Sequence, residues 1–237
     1  SNVSYVEETI IIQIRMPRVL AGALVGAALA AAGVLYQGIF KNPMADPYVL
    51  GVSAGAAVGA SLVIVLGIGF TLLGVSTVPI SAFAGSLIAV FVVYNISRVG
   101  SRVPVTTLLL SGIAVSIFLS AIAAVLQVIA GERLHVIVFW LMGGFSYVEW
   151  KDVWAVLPLV CPGAAATYFY ARDLNILSLG EETAQHLGVD VERVKQLLLI
   201  FGSLITAAAV SISGLIGFIG LIIPHMTRIL IGPDHRI

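Results

Sequence analysis

Residues able to do chemistry are few in this chain and far apart: one cysteine, four histidines, and Asp46, which is the one charged side chain between Lys41 and Arg98. Cys161 stands alone in an apolar stretch beside Pro162, so it can form neither an intrachain disulfide nor a cysteine metal site, and it reads as a small packing residue. Gly51-Val52-Ser53-Ala54-Gly55 has the G-x-S-x-G spacing that exposes a nucleophilic serine, but that elbow needs a strand running into a helix. Here the five residues open an all-apolar stretch. Small side chains at this spacing let helices approach closely, and Gly22-Ala23-Leu24-Val25-Gly26 carries the same reading. His225 follows Pro224 with no acid close by in sequence and no second histidine at ligand spacing, so hydrogen bonding at a helix end is expected rather than a relay or a metal site. No Gly-rich phosphate loop ending in Lys-Ser or Lys-Thr is present, which excludes this chain as an ATPase.

The elements that must position these residues are apolar. The chain is 59% hydrophobic and 10% charged with mean hydropathy +1.09, against about 25% charged residues in a soluble domain. Apolar residues surround the segments instead of forming one stripe, the pattern of helices solvated by lipid and by each other. A net charge of zero suggests no nucleic-acid partner.

Seven charge-poor stretches are expected to span a bilayer, at approximately 17–38, 49–69, 78–97, 104–130, 153–171, 196–214 and 217–231, the last interrupted by Pro224. If they alternate, Lys41, Arg98, Arg102, Arg172, Arg193, Lys195, Arg228 and Arg236 share one side, and Arg15, Arg18, Arg133 and Lys151 the other. The side richer in Lys and Arg is cytoplasmic. We call it the inner end. The run from Asp173 to Arg193 is then the largest cytoplasmic loop, read as two short helical pieces parted near Gly188-Val189-Asp190.

Segment 135–144 is apolar but too short to span, so it should lie along the outer surface or re-enter the bundle, with Trp140, Trp150 and Trp154 clustered at the interface. The start, Ser1 to Gln13, carries glutamates where a signal peptide would be basic, so no cleavable signal is expected. An offset of 181 residues pairs Gly33 with Gly214, Pro43 with Pro224 and Gly51 with Gly232, a hint of a duplication whose copies would have opposite topology.

Several motifs in order carry a resemblance. They are Arg15-Met16-Pro17-Arg18, then Gly26, Gly33 and Gln37, then Asn42-Pro43-Met44-Ala45-Asp46-Pro47 and Leu50-Gly51-Val52-Ser53-Ala54-Gly55-Ala56. Trp140-Leu141-Met142-Gly143-Gly144, Leu179-Gly180-Glu181 with Ala184 and His186-Leu187-Gly188, and the run Gly214 to His225 with Arg228 and Asp234-His235-Arg236 complete the set. Together they resemble the permease subunit of the iron-siderophore, haem and cobalamin class of ABC importers.

That resemblance implies an all-α, polytopic transmembrane bundle of the type II importer kind, with an inverted repeat, in the inner membrane of a prokaryote. It implies a ten-helix subunit, of which this chain would lack the first helix and about the last three. Residues 1–237 would form one domain, with 173–193 as a cytoplasmic coupling loop. The implied partners are a second permease copy, two cytoplasmic ATP-binding subunits holding ATP and Mg, an extracytoplasmic binding protein, and a metal chelate as cargo. No cofactor or metal is expected on this chain.

The resemblance also assigns roles. Arg15 and Arg18 would receive glutamates of the binding protein, for which the planar guanidinium fork is suited; snorkelling to lipid phosphate is the alternative. Leu179, Gly180, Glu181, Glu182, Ala184, His186, Leu187 and Gly188 would form the ATPase-coupling surface, against the alternative of a solvated loop. Asn42, Met44, Val105 and Thr106 are candidates for a cytoplasmic gate, where bulky apolar groups exclude water and polar ones exchange hydrogen bonds; helix capping is the competing reading of Asn42 and Asp46. An ion-coupled carrier and, at greater distance, an intramembrane serine protease using Ser53 and His225 remain as other classes. Which chelate is carried stays open.

Overall fold

The structure is a computed structural model describing residues 5–72, 74–100, 102–232 and 234. Among these residues the order is α1 (Tyr5–Thr9), a π-helical turn (Ile10–Arg15), α2 (Met16–Phe40), a 3-10 turn (Pro47–Leu50), α3 (Val52–Leu66), a small hairpin (Thr71–Leu72 with Val75–Ser76), α4 (Thr77–Ser97), α5 (Val105–Ile129), a 3-10 turn (Gly131–Arg133), α6 (Leu134–Met142), α7 (Trp150–Phe169), α8 (Ala171–Ser178), α9 (Glu181–His186), α10 (Val191–Ser213) and α11 (Ile219–Ile231). Helices dominate because hydrocarbon offers no partner for a free N–H or C=O, so each apolar segment must close its own ladder. Five of these helical segments are long and apolar enough to cross a membrane, and the protein is a multi-pass transmembrane bundle.

α2 and α10 form its centre and run antiparallel. Tyr36 Oη and Ser203 Oγ are 2.9 Å apart at one level, while Ala21 and Ile212 share a cluster near the outer end. α7 packs on both, with Gly163 set against Ile205. α3 and α4 lie backbone to backbone: a Cβ on Gly55 would come within 2.7 Å of Ala89 Cβ and 2.9 Å of the Gly85 carbonyl carbon, as the small-residue spacing predicts. The same reading fails at Gly26, which has nothing within 4 Å of its Cβ position.

Other boundaries moved for identifiable reasons. The first helical run starts well before Pro17, because Ile10, Ile11, Ile12 and Ile14 keep the preceding turns apolar. Met16 N–H still reaches back to Ile11, and the Ile12 carbonyl takes the Trp150 indole N–H at 2.9 Å. Pro17 has no N–H to offer there. α3 and α11, with 15 and 13 residues, reach only about 22 and 20 Å at the helical rise, short of the roughly 30 Å hydrocarbon core. Gly67 at φ 66° stops α3, and Phe218 at φ 69° delays α11.

In the inner loop the two expected helical pieces are α9 and the first turns of α10, and α8 is an additional amphipathic helix burying Ala171, Leu174 and Leu177. Cys161 is exposed on α7, not packed. Trp150 and Trp154 stack at 6.2 Å, whereas Trp140 packs inward beside Val210.

The 181-residue offset pairs unlike positions. Gly33 lies within α2 but Gly214 ends α10 at φ 65°, and Pro43 lies in a turn but Pro224 inside α11; only Gly51 and Gly232 both close a helix at positive φ. The offset therefore gives the duplication no support at the level of residues. α2 runs outer to inner and α10 inner to outer, and each is followed by a glycine-containing crossover into a short apolar helix.

Candidate transport pathway and coupling surface

At the outer end Arg15 and Arg18 are both exposed, and Arg18 Nη2 donates to the Ser146 carbonyl at 2.5 Å. Arg18 borders a cleft of about 470 Å³ with Trp150 and Lys151. Glu149 and Asp152 start α7 with a reciprocal capping box, and Lys151 pairs with Glu149 at 3.0 Å.

Beside this rim α6 lies along the outer end, one of the two placements its length allowed: it buries Ile137, and Arg133 just before it donates to the Ile64 and Val65 carbonyls at the end of α3. The C-terminus of α6 is locked on that of α10: Gly144 N–H donates to Ser213 O at 2.7 Å. Gly143 and Gly214 both have positive φ, and a Cβ on Gly214 would strike the Trp140 carbonyl oxygen. The glycines of the two motifs therefore meet each other. A second cleft of about 490 Å³ lies next to this contact, lined in part by His135, Phe139, Trp140 and Ser213.

Near the inner end, in the last turn of α2, Gln37 joins three segments. Pro224 cannot donate to the Gly220 carbonyl, so that oxygen has no partner within α11. The Gln37 side-chain amide supplies it, donating at 3.4 Å to Gly220 O, 3.1 Å to Leu221 O and 3.4 Å to Ala45 O, while its Oε1 accepts from Arg228 Nη1. Gln37 is buried. Sequence reading quoted it within a motif without giving it a task. A lone amide in an apolar helix is the signal that could have found it, since in hydrocarbon such a group needs partners. Gln37→Leu keeps the volume but strands the Gly220 carbonyl and the Arg228 guanidinium. A thermal melt in detergent should show a loss of about 3 kcal/mol; an unchanged melt would mean water satisfies these groups.

The turn after α2 holds the first gate candidates. Lys41 ends the helix at φ 49°, Asn42 Oδ1 accepts from Met44 N–H at 2.9 Å, and Asp46 Oδ1 accepts from Tyr48 N–H at 2.8 Å. Both polar residues thus do cap turns, and Met44 stands 60% exposed at the inner end. Burial pushes the Asp46 carboxyl above the usual carboxylate range, and the Tyr48 N–H pulls it partly back. Tyr48 Oη donates to Ile216 O at 2.8 Å, tying this turn to the α10–α11 crossover. Val105 and Thr106 open α5 at the same end, Val105 half-buried in the main core and Thr106 exposed. The far side of α5 presents Leu110, Ile113 and Ile117 outward.

The coupling candidates fall on one protruding element. Gly180 (φ 125°) and Gly188 (φ 84°) bracket α9, Ala184 is fully buried, and Leu179 and Leu187 are 66% and 59% exposed. Glu182 and His186 are exposed beside them, while Glu181 turns back to Lys195 at 3.3 Å. His235 and Arg236 lie outside the described residues. Ser53 sits in the first turn of α3 behind a 3-10 turn, so the strand that a nucleophile elbow needs is not there. His225 lies inside α11.

Comparison with known proteins agrees with this geometry. The family model described as the FecCD transport family matches residues 1–237. The chain is 50% identical over 230 residues to the cobalamin import system permease protein of Halobacterium salinarum, covering 97% of this chain and 61% of that one. It is 40% identical over 227 residues to the hemin transport system permease protein of Yersinia pestis, covering 95% and 68%. A solved structure described as an inward-facing conformation of a metal-chelate type ABC transporter superposes with TM-score 0.89 at 35% identity, covering all of this chain and 74% of that one.

Proposed function

Because the chain belongs to the FecCD transport family, we propose that it is the membrane-spanning part of an ATP-driven importer of metal chelates in the cytoplasmic membrane, working as a pair of copies with two ATPases and an external binding protein. Ferric siderophore, haem and cobalamin are the cargo classes. Arg15 and Arg18 offer guanidinium forks to carboxylates of the binding protein. Asn42, Met44, Val105 and Thr106 close the inner mouth, and ATP-driven movement of the partner enters through Leu179, Gly180, Glu181, Glu182, Ala184, His186, Leu187 and Gly188.

One observation carries the reading. Leu179 and Leu187 leave two large apolar side chains exposed at the inner end, flanking a short helix whose Ala184 is anchored in the core. An exposed apolar pair at the two ends of an anchored short helix is what a docking knob requires. The ion-coupled alternative needs an acidic ion ligand within the bundle, yet Asp46 and Asp152 are engaged in capping.

Purification of the full-length protein from its host in mild detergent should recover an ATPase with a phosphate-binding loop. Leu179→Glu with Leu187→Glu should lower that recovery at least about tenfold, since two docked leucines contribute more than 1.4 kcal/mol. Recovery of the intact permease without any ATPase, across salt and detergent conditions, would reject the importer.

A further inference from the structure

Among the described residues, Lys195 is the most deeply buried charge in the inner half of the molecule, 4% exposed. Its ammonium is held by groups from three segments. Nζ lies 2.8 Å from Glu192 Oε1 on its own helix, 3.3 Å from Glu181 Oε1 at the start of α9, and 3.5 Å from the Val103 carbonyl before α5. Glu192 closes the circuit, its Oε2 accepting from Val103 N–H at 3.2 Å. Both polar groups of the Val103 peptide are therefore bonded to this ion cluster, and the Val103 side chain is itself buried.

Desolvating an ammonium is costly, and separating it from its carboxylates while it stays buried costs more. The joint therefore resists stretching: when α9 shifts, following it is easier for α10 and Val103 than letting the lysine part from its partners. Two residues after Val103 the chain enters α5 at Val105 and Thr106. Thr107 Oγ1 donates to the Ser97 and Pro104 carbonyls, at 3.0 and 2.9 Å, so the start of α5 is bonded to the linker as a unit.

We propose that Lys195 is a positioning residue for transport: it transmits displacement of α9 to the first turn of α5 and so links the ATPase-facing knob to the inner gate. This rests on the importer reading above. The role is distinct from holding the fold, because it requires the ion cluster, and not only the apolar core that Ala184 shares with Val103 and Leu108, to carry motion between α9 and α5.

The test uses the full-length permease with its ATPase and binding protein in liposomes; import and hydrolysis are read with Thr106 in place, and labelling alone is read in a separate Cys161→Ser, Thr106→Cys protein as a maleimide reporter. In this background with Lys195 intact, ATP should change the labelling rate of Cys at 106. With Lys195→Met, ATP hydrolysis should persist while import falls at least about tenfold and labelling no longer responds to ATP; Lys195→Arg should restore both. Glu192→Ala, which frees the Val103 N–H but leaves Lys195 with Glu181, should uncouple in the same way and decides the matter should Lys195→Met fail to assemble. An ATP-responsive reporter in these variants, or a parallel loss of hydrolysis, import and ATPase association, overturns the joint. Absence of import with Thr106 and Lys195 both intact instead refutes the importer reading itself.

Discussion

Gly33→Ala is expected to lower the melting temperature of the detergent-solubilised protein by about 10 °C, from a loss of about 3 kcal/mol or more. The added methyl would overlap the Gly220 carbonyl oxygen and lie 2.7 Å from its carbon and 3.0 Å from Pro224 Cγ. These atoms belong to backbone and a ring, which cannot swing aside as a flexible side chain would. Gly220 is itself seated closely on α2 and on the turn that follows it, its own Cβ position lying 2.7 Å from Leu29 O and 2.7 Å from Pro47 Cδ. α11 must therefore lift from α2, and the Gln37 bonds to Gly220 and Leu221 go with it. Gly26→Ala, about two turns earlier on the same helix and in open space, is the control and should leave the melt unchanged or raise it slightly, since alanine favours a helix over glycine by about 1 kcal/mol. Equal melts for the two variants would show that the α2–α11 approach is not as close as described.

Gly214→Ala should be comparably damaging, through backbone as well as packing. Gly214 has φ 65° and ψ −157°, a conformation that is essentially glycine's own and costs any other residue about 1–3 kcal/mol. A methyl there also meets the Trp140 carbonyl oxygen and lies 3.0 Å from Gly143 Cα. Steric and conformational costs add, and relief requires α6 to detach from the end of α10, breaking the Gly144 to Ser213 hydrogen bond. The expected result is a melt lowered by about 10 °C, together with faster amide exchange at Gly144. A variant with a normal melt and a protected Gly144 amide would mean that the crossover relaxes without cost.

Much of the fold was readable in advance. α4, α5, α7 and α10 lie within the expected stretches to within a few residues, because an apolar run in hydrocarbon has no alternative to the helix. The short α6 was legible from its nine-residue length. The early start of the first helix was not, because a π turn that accommodates Pro17 depends on Trp150, 133 residues further on. α8 was missed for a related reason: its buried Leu174 and Leu177 gain their core only when α2 packs beside them.

For the candidate site, single positions were legible and their connections were not. Asn42, Asp46 and Gly180 advertise turns by residue type, so their local conformations follow from side-chain chemistry within a few residues. Leu179 and Leu187 entered only through the resemblance, and their exposure came from the structure. Gln37 gave only the bare fact of an amide among apolar residues, and Lys195 entered only as one cation on the side richer in charge.

Composition and spacing thus suffice for a membrane bundle and its family-type motifs, since hydropathy and turn chemistry act over a few residues and need no partner. The tertiary structure decided which glycines are contacts: Gly33 is one and Gly26 is not, though both lie in one helix. It also joined Gln37 to an α11 carbonyl left free by Pro224, and Lys195 to Val103, 92 residues away in sequence. The physical reason is common to these cases. A buried polar group or a missing side chain acquires meaning from the atom it faces, and in an antiparallel bundle that atom comes from a distant part of the chain.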